Sequence, residues 1–433
     1  MEQLAKMDKR WSFANNRLHA AEHKDVVYLI CILAITVIAF FPTFFNDFQM
    51  QWDDQWQVKN SFTTGEYNLW NSLFSENQGY MGQFSPLNQF IYTVLYNIGG
   101  YNPFLFHTTC LTFHLCNVIC LHYLLGRILT DCTSLDTGRI LNITSITTLF
   151  FAIHPLQVES VAWVSASKIV LFSFFYILSS IMLVLFIKTK KCGYYFITLV
   201  CFLFSYLSKE QTVTFPLWAT VLYIVYGISY RSRFFWLTLI PIYILSSLFV
   251  IHLVVYVSSY TQVLQSDPYY WWQRVLLFFY SLTTYFSKSL MPINLNWMYE
   301  NPFPEGSAMP SSLVFYPLIY AFLLFLLWDY LKKKYILIPL LFIFIHLLPV
   351  LHITRLPRSA IVADRYMYLP LIGLALIFSY IITSPRLYKL QIKWKHTLLL
   401  VIIVTFVSIS FCRTGRWHDS VKLKSNEEIQ LTK

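Results

Sequence analysis

Runs of about 20 apolar residues recur from one end of the chain to the other, separated by short polar segments. As a helix, a run of that length matches the roughly 30 Å hydrocarbon core of a bilayer, and lipid obliges each such segment to satisfy its backbone polar groups internally. The pattern predicts an all-α polytopic membrane protein. The expected spans lie near 26–45, 104–125, 140–157, 168–187, 193–208, 211–228, 234–257, 313–331, 336–352, 367–383 and 397–412, eleven in all. Residues 274–291 are also apolar enough to be helical. A further crossing there would carry Lys332–Lys334 to the other side of the membrane, so this segment is expected to be re-entrant or interfacial.

Composition strengthens that picture. The chain is 57% hydrophobic, 19% aromatic and only 12% charged, against about 25% charged in ordinary soluble domains. A net charge of +11 raises the question of nucleic acid. The basic residues, however, sit in short clusters between apolar runs, as topology signals do, and nucleic acid is not an expected partner. Lys6, Lys9, Arg10, Arg17 and Lys24 place the N-terminus in the cytoplasm. Arg127 and Arg139, Lys188 to Lys191, Arg231 and Arg233, Lys332 to Lys334, and Arg386 to Lys395 then fall on the same side, which holds most of the 32 Lys and Arg. The first run has no small-residue cleavage site after it and reads as a retained signal anchor. The expected organisation is a cytoplasmic segment 1–25, one membrane domain 26–412 with a first outer loop 46–103, and an extracytoplasmic tail 413–433. Eight cysteines, mostly inside apolar runs or basic loops, suggest neither a disulfide framework nor a CxxC metal site.

Chemistry is therefore sought in the outer loops. The first begins Gln51-Trp52-Asp53-Asp54-Gln55-Trp56. Crowded, partly desolvated carboxylates can serve as a general base, although an Asp pair is also a common helix cap. Of the two, Asp54 is slightly favoured. The second outer turn runs from His154-Pro155 through Glu159 to Lys168, and the third is Ser208-Lys209-Glu210-Gln211, where Lys209 and Glu210 could equally well pair with each other. The last outer loop carries Arg355, Arg358, Asp364 and Arg365. Cations held outside against the positive-inside bias call for an anionic partner, and a polyprenyl phosphate at the membrane surface is one. His107 and His114 share one helix face without a carboxylate beside them, which suits packed polar residues better than metal ligands.

The run His154 to Leu171, the turn Leu207-Ser208-Lys209-Glu210-Gln211-Thr212-Val213 and the loop Ala363-Asp364-Arg365-Tyr366-Met367-Tyr368-Leu369-Pro370 together resemble the transmembrane O-mannosyltransferases that act on cadherins, and their bacterial relatives. Trp52-Asp53-Asp54 and Asn102-Pro103-Phe104-Leu105-Phe106-His107 fit the same pattern, so the likeness runs in order over residues 45–417. The resemblance implies a fold of the glycosyltransferase C superfamily, a bundle of about eleven helices with its active site on the outer face, in a bacterial inner membrane facing the periplasm. It implies an inverting transfer of a sugar, mannose by analogy, from a polyprenyl-phosphate donor to a hydroxyl on a protein or glycan, in contact with membrane lipid. By the same likeness Asp53 or Asp54 is the catalytic base. Lys168, Lys209, Arg358 and Arg365 hold the donor phosphate, and His154, Glu159, Glu210 and Asp364 orient those groups. The transfer would need no nucleotide and no covalent enzyme intermediate; no cofactor is assigned, and a divalent metal is left open.

Two departures stand out. Relatives often read Arg-Lys-Asp where this chain has Ala166-Ser167-Lys168-Ile169, so only the Lys carries over. Many also continue into tetratricopeptide repeats, which are expected to be missing here. A glycan polymerase or ligase with a diphosphate-linked donor is the alternative within the enzyme class. A transporter of lipid-linked sugars would show mid-membrane charges and an internal two-fold repeat, and neither is visible.

Overall fold

The computed structural model describes residues 23–65, 84–260, 269–296, 299, 302–303, 309–353, 360–385, 394–421 and 423. Among these the regular secondary structure is helical. The sole β pairing is an isolated bridge between Tyr299 and Val362.

The helices in chain order are α1 (23–39), α2 (Asp54–Gln57), α3 (Pro86–Gly99), α4 (Pro103–Cys132), α5 (Thr137–Ile153), α6 (Val158–Ala162), α7 (Ser167–Thr189) and α8 (Cys192–Ser208). They continue as α9 (Phe215–Val225), α10 (Arg233–Tyr260), α11 (Trp271–Leu290), α12 (Phe315–Leu331), α13 (Lys334–Leu347), α14 (Pro370–Ile382) and α15 (Lys395–Arg416). A helix thus occupies each of the expected apolar stretches. Among the described residues, five helical stretches are long and apolar enough to cross a membrane by themselves, and a sixth is made by α5 and α6 together, bent by 49°. Helices α8, α13 and α14 are apolar but shorter.

Local sequence sets the ends of these helices. Pro103 opens α4 while the Asn102 side chain accepts from the Phe104 N–H, and the Asp136 side chain accepts from the Arg139 N–H at the start of α5. Pro155 breaks the path between α5 and α6, and His154 Nδ1 caps the break by accepting from the Leu156 N–H at 3.2 Å. Lys190 stops α7 in the left-handed region at φ 59°.

The bundle is built around α7, which packs most extensively on α8 and also on α4, while α14 bridges α5 and α13. Gly373 lets α13 and α14 meet closely, since a Cβ there would lie 2.5 Å from the Pro339 carbonyl. Helix α12 buries none of its residues and turns apolar side chains outward all round, as a lipid-facing helix does. The segment expected to be interfacial forms α11. It buries Arg274, Leu277, Ser281 and Tyr285, one stripe at helical spacing, and is not among the stretches apolar enough to cross. The sequence reading missed α3, a second amphipathic helix, which falls between the first two expected spans.

Two polar clusters sit at opposite ends of α7, about 30 Å apart at about 1.5 Å rise per residue. At one end Lys188 Nζ lies 2.5 Å from Asp131, which also takes Arg127 Nε at 3.2 Å and the Tyr226 hydroxyl at 3.1 Å. At the other end is Lys168. The separation equals the thickness of a hydrocarbon core.

Candidate active site

After α1 the chain passes through the 3-10 turn Phe41–Phe45 into an extended segment that the C-terminal residues hold in place. Asn46 Nδ2 donates to the Thr414 carbonyl at 3.1 Å, Gln49 Nε2 to the Trp417 carbonyl at 2.8 Å, and the Asp47 N–H to the His418 carbonyl at 2.7 Å. Trp417 in turn stacks on Trp163, with ring centroids 5.6 Å apart. The loop that carries the acidic pair is therefore anchored on packed elements rather than hanging from a linker.

The two aspartates face different surroundings. Asp54 is fully buried. Its Oδ2 accepts from the Gln49 N–H at 2.8 Å, and its Oδ1 accepts from the Ser165 N–H at 2.9 Å and from the Ser165 hydroxyl. Burial pushes its carboxyl up to about 6, against those donors, and its three hydrogen bonds tie the first loop to the turn before α7. Asp53 is only half-buried and accepts a side-chain hydrogen bond from Gln57 Nε2 at 3.3 Å. Burial raises its carboxyl too, while the positive charges of Lys168 and Arg365 pull it back. This geometry points away from Asp54, which the sequence reading favours, and towards Asp53.

Lys168 stands in the first turn of α7, fixed by a polar lattice beneath it. The Tyr92 hydroxyl donates to the Val164 carbonyl at 2.6 Å and lies 2.8 Å from Ser167 Oγ, which itself donates to Asn88 Oδ1 at 2.9 Å. Lys168 is buried, and its Nζ donates to Gln57 Oε1 at 3.0 Å. Its electrostatic neighbours are Lys209, Glu210, Asp53 and Arg365. Lys209 Nζ lies 3.2 Å from Glu210 and 6.0 Å from the Tyr366 ring centroid. Although burial works against it, the Glu210 carboxyl is held below its ordinary value by Lys209 and Lys168.

Arg365 joins the last loop to the second. Its Nη1 is paired with Glu159 Oε1, its backbone N–H donates to Glu159 Oε2 at 3.0 Å, and its guanidinium lies 5.4 Å from the Trp163 ring centroid. Glu159 is wholly buried, so the pair fixes Arg365 at the edge of the cluster. Asp53, Glu159, Lys168, Lys209, Glu210 and Arg365 therefore come together from four segments far apart in sequence.

The remaining expected site residues lie elsewhere. Asp364 turns the opposite way from Arg365, accepting from Arg413 Nη2 at 2.5 Å and from the Tyr299 hydroxyl at 2.8 Å, while Arg413 Nη1 donates to the Pro155 carbonyl at 2.8 Å. It orients Arg413, not a cation of the cluster. His154 spends both ring nitrogens on backbone, on Leu156 N–H and, at 3.0 Å, on the Ser289 carbonyl. Arg358 lies outside the described residues. His114 is likewise a packing residue, held between the Tyr368 hydroxyl at 2.7 Å and the Ala152 carbonyl at 2.9 Å. Among the described residues no three His, Cys, Asp or Glu side chains gather as metal ligands.

Gln57 and Arg413 were missed. Gln57 falls one turn after Asp53 and would be found by reading 53–57 as helical. Arg413, a cation at the end of an apolar run, carried the signal of an intramembrane charge in need of a partner. Comparison with protein-family models finds no match, and comparison with curated proteins finds none either.

Proposed function

We propose that this membrane protein is an inverting glycosyltransferase that moves a sugar from a polyprenyl-phosphate donor to an acceptor hydroxyl at the extracytoplasmic surface. One observation carries the reading: a half-buried carboxylate, Asp53, shares a cluster at the end of the apolar helices with Lys168 and Arg365. An anion held by cations beside a carboxylate of raised pKa is what transfer from a lipid phosphate needs.

In this reading Lys168, Lys209 and Arg365 bind the donor phosphate. Asp53 takes the proton of the acceptor hydroxyl as its oxygen attacks the anomeric carbon. The bond from that carbon to the phosphate oxygen breaks, and polyprenyl phosphate leaves with the electron pair, its negative charge met by the three cations. The sequence motifs that resemble the O-mannosyltransferases support the donor class, with mannose as the first sugar to try and a protein or glycan as acceptor.

The test is reconstitution in liposomes with radiolabelled polyprenyl-phosphate mannose and, separately, with a nucleotide-linked mannose and a polyprenyl-diphosphate-linked mannose. Transfer from the lipid donor alone is expected. Transfer from the nucleotide sugar alone, or from a diphosphate-linked lipid alone, would overturn the donor assignment.

A further inference from the structure

Gln57 occupies a place in the cluster that neither the motifs nor the charge pattern assigns. It lies in α2, one helical turn after Asp53, so both side chains leave the same face. Its amide is used at both ends: Nε2 donates to Asp53 Oδ2 at 3.3 Å, and Oε1 accepts from Lys168 Nζ at 3.0 Å. The two contacts fix which way the amide points, because a lysine ammonium can only donate and an ionised carboxylate can only accept.

We infer that Gln57 is a positioning residue that keeps Lys168 and Asp53 at one amide's separation, so that neither charge is consumed by the other. The inference rests on the function proposed above for Asp53 and Lys168, but the physics does not depend on it. A lysine in direct contact with a carboxylate favours the ionised carboxylate and lowers its basicity. It also commits the ammonium to that carboxylate instead of to an incoming phosphate. A neutral amide between them transmits orientation without a formal charge. The other charged groups facing the pair are Arg365 and Asp54 around Asp53, and Lys209, Glu210 and Arg365 around Lys168. None of these bridges the two, and Gln57 does.

The substitutions Gln57→Leu and Gln57→Glu separate this role from a structural one. Leu fills the space but neither accepts from the ammonium nor donates to the carboxylate, so no amide separates Lys168 from Asp53 and the positive charge stabilises the ionised form of Asp53. Glu places a second negative charge one turn from Asp53 and stabilises its protonated form. The direct readout is the pH dependence of carbodiimide labelling of Asp53, which reacts as the protonated acid, followed by peptide mass spectrometry on the full chain in detergent. Relative to the wild-type protein, the labelling midpoint is expected to fall by about one pH unit in Gln57→Leu and to rise by about one in Gln57→Glu, a tenfold change in proton affinity each way. Midpoints that stay put, or that move in the same direction in both variants, would overturn the positioning role whether or not the protein transfers sugar. With polyprenyl-phosphate mannose as the probe, the acidic limb of the transfer rate should move in step with the labelling midpoint. Opposite labelling shifts in a protein that transfers no sugar would leave the spacer in place and remove the transferase reading instead.

Discussion

Asp53 and Asp54 follow one another in the chain, and a pattern of residue types cannot say which one the fold consumes. The difference arises where the chain turns into α2. Asp54 meets the backbone N–H groups of Gln49 and Ser165 and is sealed in, whereas Asp53 remains at the surface of the cluster beside Gln57. An Asn at position 54 has one carbonyl oxygen and one NH2 group, so one of the donors now facing Asp54 would face another donor. A buried unsatisfied donor costs about 1–3 kcal/mol. Asp54→Asn should therefore lower the thermal midpoint in detergent, with any loss of transfer tracking the loss of folded protein. Normal stability together with lost transfer would restore Asp54 as the catalytic candidate. For Asp53 the consequence is a pH profile. A base must be ionised to work, and burial raises this carboxyl, so the transfer rate should climb with pH through an apparent pKa above the ordinary Asp value. A rate flat down to the ordinary Asp range would contradict that placement.

Elements of secondary structure were legible in proportion to how apolar they are. Every expected span coincides with a helix, because a long apolar run in lipid has almost no other way to satisfy its backbone. The amphipathic α3 was not foreseen, since half of its surface is polar and it sits in a loop that hydropathy alone leaves blank. The partners of Asp364 and Arg365 were equally hidden. These neighbours diverge, one to Arg413 on α15 and the other to Glu159 on α6, and sequence adjacency gives no hint of that. Both pairs tie the last loop to other elements at the head of the bundle. Removing one partner of such a buried pair leaves an uncompensated charge and typically costs about 3–5 kcal/mol. Arg413→Ala should accordingly destabilise the protein by about that much, and the double change Arg413→Met with Asp364→Leu should recover a large part of it. A single variant as stable as the wild-type protein would show that the tie does not secure the loop.

At the scale of the whole molecule, the residues of the cluster come from the residue before α2, the starts of α6 and α7, the turn after α8 and the turn before α14, while Asp131 and Lys188 mark the far end of the bundle. The reading of charge along the sequence puts the first group outside and the second inside. Single cysteines introduced at Gln55, Lys209, Lys190 and Lys333, in a background cleared of the eight native ones, test it with an impermeant thiol reagent in intact and permeabilised cells. Positions 55 and 209 should label in intact cells, and 190 and 333 only after permeabilisation. The reverse pattern would turn the protein over.

The most direct measurement of the central claim compares the wild-type protein with Asp53→Asn in liposomes, reading single-turnover sugar transfer and donor binding in parallel. The amide keeps the shape of the carboxylate and loses its basicity. Transfer should fall by roughly 100-fold or more, while affinity for polyprenyl-phosphate mannose, set by Lys168, Lys209 and Arg365, stays nearly unchanged. Near-normal transfer by Asp53→Asn would contradict the account and send the search for the base to another carboxylate.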